Sequence, residues 1–237
     1  MTSIRTNLNK LLISEIEELM YNTNMNARKI KKSYISCTGY FASYKNKTQI
    51  AFESVLERDF YMLLEFDDNV VLYAEQPITI NYKYKDGSNR KYTPDCIVNY
   101  VDRTEKYFEV KYKSDIDNDI ELSEKLQFLK SYFNEEYSSK LKVFTDEDFS
   151  KVYLDNLKFL YKFAFFEENK EKLEVINQVL NSVDNIKVKD LITKLENNSF
   201  NKLQWLPHVW KYIFLHNNVV NLYEKLTMNT LVQKGFV

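Results

Sequence analysis

Glycine occupies only three of the 237 positions, Gly39, Gly87 and Gly235. Dinucleotide-binding turns and Walker A loops need clustered glycines so that backbone can approach a phosphate closely, and this chain has no such cluster. What remains is a succession of short apolar runs set off by polar turns. The length accommodates one large domain or two small ones. With 44% hydrophobic and 28% charged residues the composition is that of a globular protein, not a disordered one. The only histidines are His208 and His216, and the only cysteines Cys37 and Cys96. That argues against multi-histidine zinc sites and Ser-His-Asp hydrolysis in the first two thirds of the chain, and against a disulfide framework or zinc ribbon anywhere. Two thiols without a framework fit a reducing cytosol. No apolar stretch approaches a membrane span and the amino-terminal stretch lacks a signal-peptide core, so the expectation is a cytoplasmic protein with no membrane partner.

The net charge of −1 conceals a strong asymmetry. Residues 1–52 carry a net +5, residues 53–150 a net −9 and residues 151–237 a net +3. From Tyr21 to Phe52 there is no acidic residue, while Arg28, Lys29, Lys31, Lys32, Lys45 and Lys47 are present. An acidic middle between basic arms suits a protein that holds cations centrally and polyanions peripherally. A solvated surface in a lysine-rich chain explains the same numbers equally well.

Periodicity divides the chain near residue 150. Ser14–Tyr21 reads as a short helix and residues 22–49 as an extended basic arm or loop. Residues 50–66 read as a helix, with Phe52, Val55, Leu56, Phe60, Leu63 and Leu64 on one stripe. Asp59 interrupts that stripe without an evident reason. Strands are expected at Val70–Glu75, Ile78–Tyr84, Tyr92–Val101, Lys106–Tyr112 and Leu141–Thr145, with a helix over Leu122–Tyr137 and an Asp-Gly turn at residues 85–89. The first domain is therefore α/β and layered. Helices are expected at about 150–168, 171–183, 187–196 and 204–216, and Val219–Gln233 reads as a two-stranded hairpin or a further helix.

The chemistry concentrates between Tyr92-Thr93-Pro94-Asp95 and Tyr107-Phe108-Glu109-Val110-Lys111. Proline is tolerated at the first position of a strand, which puts Asp95 at a strand's start. Glu109 and Lys111 are two apart and share a face, while Phe108 and Val110 face a core. A hairpin turning near residue 102 lays Asp95 across from Glu109 within a register step. Two carboxylates forced together repel and raise each other's proton affinity. A divalent cation removes that repulsion, and oxygen-only ligands favour Mg²⁺ or Mn²⁺ over zinc. Such a metal polarises a phosphodiester and lowers the pKa of bound water, with Lys111 placed to orient the water or stabilise phosphate charge. Glu57, on the preceding helix, is a candidate third carboxylate. Glu-x-Lys alone is common and usually marks a solvated strand face. Pro-Asp, 13 intervening residues, then Glu-Val-Lys on adjacent strands is far rarer, and is the PD-(D/E)xK nuclease pattern.

Ala51–Phe60, Leu64-Glu65-Phe66-Asp67, Glu75-Gln76-Pro77, Tyr92–Asp95, Glu109–Lys111, Lys125-Leu126, Tyr132 and Phe144-Thr145-Asp146 together resemble the TnsA family, the endonuclease subunit of heteromeric transposases. The resemblance covers roughly residues 28–150. It implies a restriction-endonuclease-like core, a mixed sheet flanked by helices, followed by a smaller, mostly helical, winged-helix-like C-terminal domain. The expected division is a basic arm at 1–49, a nuclease domain at 50–150 and a C-terminal domain at 151–237. By resemblance, Glu57, Asp95 and Glu109 are metal ligands for Mg²⁺, with Mn²⁺ substituting, and Lys111 is the catalytic lysine. The family cuts the non-transferred strand at transposon 5′ ends, beside a TnsB-type DDE transposase and a TnsC-type AAA+ ATPase. Arg28, Lys29, Lys31 and Lys32 are candidate DNA phosphate contacts.

Other positions keep two readings. Glu53 is a supporting carboxylate or a solvated helix residue. Gln76 touches the edge of the site or DNA, or simply ends a strand. Lys113 reaches phosphate or is an exposed strand lysine. Trp205, His208 and Trp210 read as packing around Pro207, and Cys96 as a buried small apolar residue. Two rival functions share these residues: a phage or repair nuclease with the same core, and a non-catalytic DNA-binding or assembly module.

Overall fold

The computed structural model describes residues 37–137, 139–195 and 202–234. The expected helix at Ser14–Tyr21 and the candidate DNA contacts Arg28, Lys29, Lys31 and Lys32 lie outside the described residues. The chain divides into two units, Met1–Asp146 and Glu147–Val237.

The first unit opens with an antiparallel ribbon, β1 (Gly39–Ser43) and β2 (Thr48–Phe52), where the sequence suggests the end of a basic arm and the start of a helix. Helix α1 spans Val55–Phe66, five residues shorter at its start than the expected helix over 50–66. Phe41, Ile50 and Phe52 are buried, so alternating apolar residues here follow the two-residue period of a strand. The ribbon is fastened through Glu65 on α1. Its carboxylate accepts from the Ser43 hydroxyl, from Lys45 N–H at 2.9 Å and from Tyr73 OH at 2.6 Å.

A four-stranded mixed sheet forms the centre, in the order β3 (Val70–Glu75), β6 (Cys96–Tyr100), β7 (Glu105–Val110), β8 (Lys140–Phe144). The β3–β6 and β6–β7 pairs are antiparallel, and β8 runs parallel to β7. A parallel neighbour needs a crossover. Here it is α2 (Lys113–Asn118) and α3 (Ile120–Glu136), the latter packed on β8. Asp119 caps α3, its side chain accepting from Leu122 N–H at 2.9 Å. Lys113 therefore begins a helix, paired with Asp117, instead of continuing a strand.

The expected strand Tyr92–Val101 is two elements. Strand β5 (Asn89–Tyr92) pairs with β4 (Ile80–Lys83) in a separate ribbon, and β6 begins after Thr93-Pro94-Asp95. Proline cannot donate to a ladder, so the chain leaves one sheet and enters another at this point. One layer buries Tyr82, Tyr92, Tyr107, Leu129, Phe133 and Leu141 together. On α1, Phe60 packs against Phe108 and Phe144, with ring centroids 4.9 and 4.6 Å away, and Tyr61 stacks on Tyr73 at 5.5 Å. Cys96 is fully buried as a small apolar residue. Asp59, the anomaly in the helical stripe, is ion-paired with Arg58 at 3.0 Å.

The second unit contains helices α4 (Lys151–Tyr161), α5 (Lys170–Asn181), α6 (Val188–Leu195) and α7 (Lys202–Leu215), close to the four expected pieces. The segment after Val219 is neither hairpin nor helix. Strand β10 (Leu231–Gln233) pairs instead with β9 (Asn185–Lys187), which precedes α6. The intervening loop is pinned by buried Asn156, whose amide donates to Leu222 O at 2.8 Å and Glu224 O at 2.7 Å and accepts from Leu226 N–H at 3.0 Å. Trp210 packs edge-on to Phe159, centroids 4.9 Å apart, as core. No helix among the described residues is long and apolar enough to cross a membrane.

Phe133 is fully buried and touches three aromatic rings, those of Tyr92, Tyr107 and Tyr137. Phe133→Ala is expected to destabilise the first unit by about 3–5 kcal/mol, read as a lower urea midpoint with an unchanged slope.

Candidate active site

The register of β6 and β7 assembles the site. Cys96 pairs with Phe108, so one step beyond, Asp95 faces Glu109. The pairing is fixed by more than the ladder. Val110 N–H donates to Asp95 Oδ2 at 2.8 Å. The Lys111 ammonium then spans both acids, 3.2 Å from Asp95 Oδ2 and 3.0 Å from Glu109 Oε1, and donates to Val110 O at 3.1 Å. Lys111 itself is seated because its N–H donates to Phe144 O at 3.0 Å, extending the parallel ladder.

Glu57 comes from α1. Ser54 is the helix N-cap, its hydroxyl accepting from Glu57 N–H at 3.0 Å. Glu57 Oε2 in turn accepts from Glu53 N–H at 2.8 Å. Ser-Val-Leu-Glu has the capping-box sequence, but Glu57 returns its bond to the N–H one residue before the N-cap, a local role for Glu57 that the sequence reading overlooked. Glu57 is 8% exposed, and its carboxyl feels the charges of Asp95 and Lys111. Among the described residues, no group of three or more His, Cys, Asp or Glu side chains encloses a position fit for a metal ion. Asp95 and Glu109 are brought together through Lys111, and Glu57 stands beside them without closing a three-carboxylate cage.

Two further side chains belong to this neighbourhood. Tyr92 OH donates to Glu109 Oε2 at 2.6 Å, so both oxygens of Glu109 are engaged. Burial, then the Glu109 charge, hold the Tyr92 phenol far above its ordinary pKa, so it stays a donor. The sequence marks Tyr92 only by its place in Tyr-Thr-Pro-Asp. Glu53 is partly buried and takes a hydrogen bond from Gln76 Nε2 at 3.2 Å, which makes it a supporting carboxylate and not a freely solvated one.

Burial dominates the electrostatics. It lifts Glu57 from 4.5 to about 7, opposed by the Glu53 N–H and aided by the charge of Asp95. It lifts Asp95 from 3.8 to about 6, with Glu109 adding to the rise and Lys111 opposing it. For Lys111 burial alone lowers the pKa, but Asp95 and then Glu109 more than offset it and leave the ammonium above its usual range. Glu57 and Asp95 hold protons unusually well beside a firmly charged lysine, and such perturbation is a mark of functional sites.

Residues 67–146 match the family model for the TnsA-like endonuclease N terminal. That segment spans β3 to β8 and contains Asp95, Glu109 and Lys111; Glu57 precedes it. Residues 67–146 are therefore similar to the N-terminal endonuclease domain of the TnsA type. No curated protein matches the chain.

Raised carboxyl pKa values mean that the folded protein holds protons the unfolded chain has released, so stability falls as pH rises from the ordinary value through the folded one. With divalent ions chelated, the unfolding midpoint is expected to drop between about pH 4 and about pH 7, and Glu57→Gln to flatten that drop. Thermal denaturation across that range checks it.

Proposed function

We propose that this chain is the metal-dependent DNA endonuclease subunit of a TnsA-type transposase, hydrolysing the non-transferred strand at the 5′ ends of a transposon. The observation that carries the proposal is Lys111 bridging Asp95 and Glu109 inside the matched nuclease segment. The donor chemistry fits Mg²⁺ or Mn²⁺: Glu57, Asp95 and Glu109 offer only hard oxygens, and two of these acids sit where burial makes bare negative charge costly. When bound, the ion supplies Lewis acidity toward the phosphodiester and an acidified water.

The chain's own residues have separable roles. Asp95 and Glu109 are held by Val110 N–H and Tyr92 OH, so their remaining lone pairs keep fixed directions. Lys111 keeps its proton and presents positive charge where a phosphate gains negative charge. Glu57 is the third carboxylate at the rim. The basic residues Arg28, Lys29, Lys31 and Lys32 are proposed to track DNA phosphates without reading bases. The helix pair α6–α7, bracketed by the β9–β10 ribbon, supports a winged-helix-like reading of the second unit. A TnsB-type transposase and a TnsC-type ATPase are the proposed partners.

The protein is to be assayed with both partners on a duplex bearing the transposon end. Strand cuts at the 5′ ends are expected with Mg²⁺ and not with chelator. Asp95→Ala should abolish them, and Lys111→Ala should slow them about 10²–10³-fold. Undiminished cutting by Asp95→Ala would refute the site.

A further inference from the structure

Gln76 combines a strained backbone with hydrogen bonds to both segments that carry the acids. Its φ is +42°, in the left-handed region that side chains rarely adopt. The residue is not glycine, and it precedes Pro77, whose ring pushes the preceding residue toward extended backbone. Ending a strand does not require this conformation. Backbone strain of this kind persists only where the surroundings enforce it, and it gathers at functional sites.

The surroundings are specific. Gln76 lies one step past the β3–β6 pair Glu75↔Cys96, and its N–H donates to Asp95 O at 3.0 Å. Its side-chain Nε2 donates to Glu53 Oε1 at 3.2 Å. Glu53 N–H donates to Glu57 Oε2 at 2.8 Å. One residue thus links the strand end bearing Asp95 to the turn that aims Glu57. The ordinary alternative, a strand terminator, accounts for neither the side-chain bond nor the positive φ.

We infer that Gln76 is a positioning residue: its left-handed backbone and its amide hold the Glu53–Glu57 turn against the Asp95 strand end and so set the separation of those two carboxyl groups. The inference rests on the nuclease reading above. Gln76 touches neither Glu57 nor Lys111 directly, so it acts through Glu53 and through the Asp95 backbone.

The test uses the full chain with its partners in single-turnover cleavage of the transposon-end duplex, and the chain alone in Mn²⁺ calorimetry. Gln76→Glu sets a carboxylate against Glu53. It should lower the cleavage rate about 10–100-fold and weaken Mn²⁺ binding, with KM for DNA unchanged. Gln76→Glu combined with Glu53→Gln reverses donor and acceptor, and should recover the rate to within about threefold of the unmodified protein. Gln76→Gly accepts the positive φ but lacks the amide. It should keep the unfolding midpoint within about 4 °C while losing rate like Gln76→Glu, which separates positioning from folding. Full rate in Gln76→Glu or Gln76→Gly, or no recovery in the exchanged pair, would overturn the inference. Asp95→Ala distinguishes the levels. If it is inert while the Gln76 variants cut normally, only this inference fails; if it cuts normally, the nuclease reading fails and takes the inference with it.

Discussion

The bond from Val110 N–H to Asp95 Oδ2 is the interaction on which the site depends. Ladder pairing between β6 and β7 places backbones, not side chains. A carboxylate that spends one oxygen on the facing strand's amide is locked to that strand, and Lys111, the next residue, is carried to it. Because side chains alternate along a strand, a slip of one residue would put Phe108 and Val110 where Glu109 and Lys111 now stand. The aromatic packing of Phe60 on Phe108 and of Phe133 on Tyr107 opposes such a slip from both sides of the sheet.

That geometry is held against electrostatic cost. Burying acids side by side disfavours their charged forms, and the fold answers with donors in place of water. Val110 N–H, Tyr92 OH, Glu53 N–H and three bonds from Lys111 are distributed over Asp95, Glu109, Glu57 and the backbone. The donors come from three stretches of chain, around Glu53, at Tyr92 and at Val110-Lys111. Asp95 and Glu57 still bind protons unusually well, and a site poised in this way responds strongly to any added positive charge.

Much of this was legible in the sequence. The apolar run Val70–Glu75 matches β3 at both ends, and Pro94-Asp95 leads directly into β6 while Glu109-Val110-Lys111 closes β7, on adjacent antiparallel strands as their spacing suggests. Periodicity reported the core faces because burial there is regular. It failed where geometry is set by contacts distant in sequence. The Gly39–Phe52 ribbon looked like an arm because its basic residues mask an alternating pattern, and the tie from Glu65 cannot be seen locally. Tyr92–Val101 read as one strand although Thr93-Pro94-Asp95 interrupts its apolar residues. The Asp-Gly turn announces the β4–β5 hairpin, but not that the chain changes partner at Pro94. Tyr92 and Gln76 owe their roles to side-chain directions, and Ser54-Val-Leu-Glu57 was legible as a cap but was read only for its carboxylate.

Lys111 draws its seat from Phe144, beyond the whole α2–α3 crossover. Non-local parallel pairing of this kind closes late in folding, because a long loop must be ordered first. All four polar residues are thus synthesised well before the last strand that aligns them. A chain interrupted within the crossover carries Glu57, Asp95, Glu109 and Lys111 but not the Phe144 carbonyl that seats Lys111, so the lysine takes its place only with completion of the sheet.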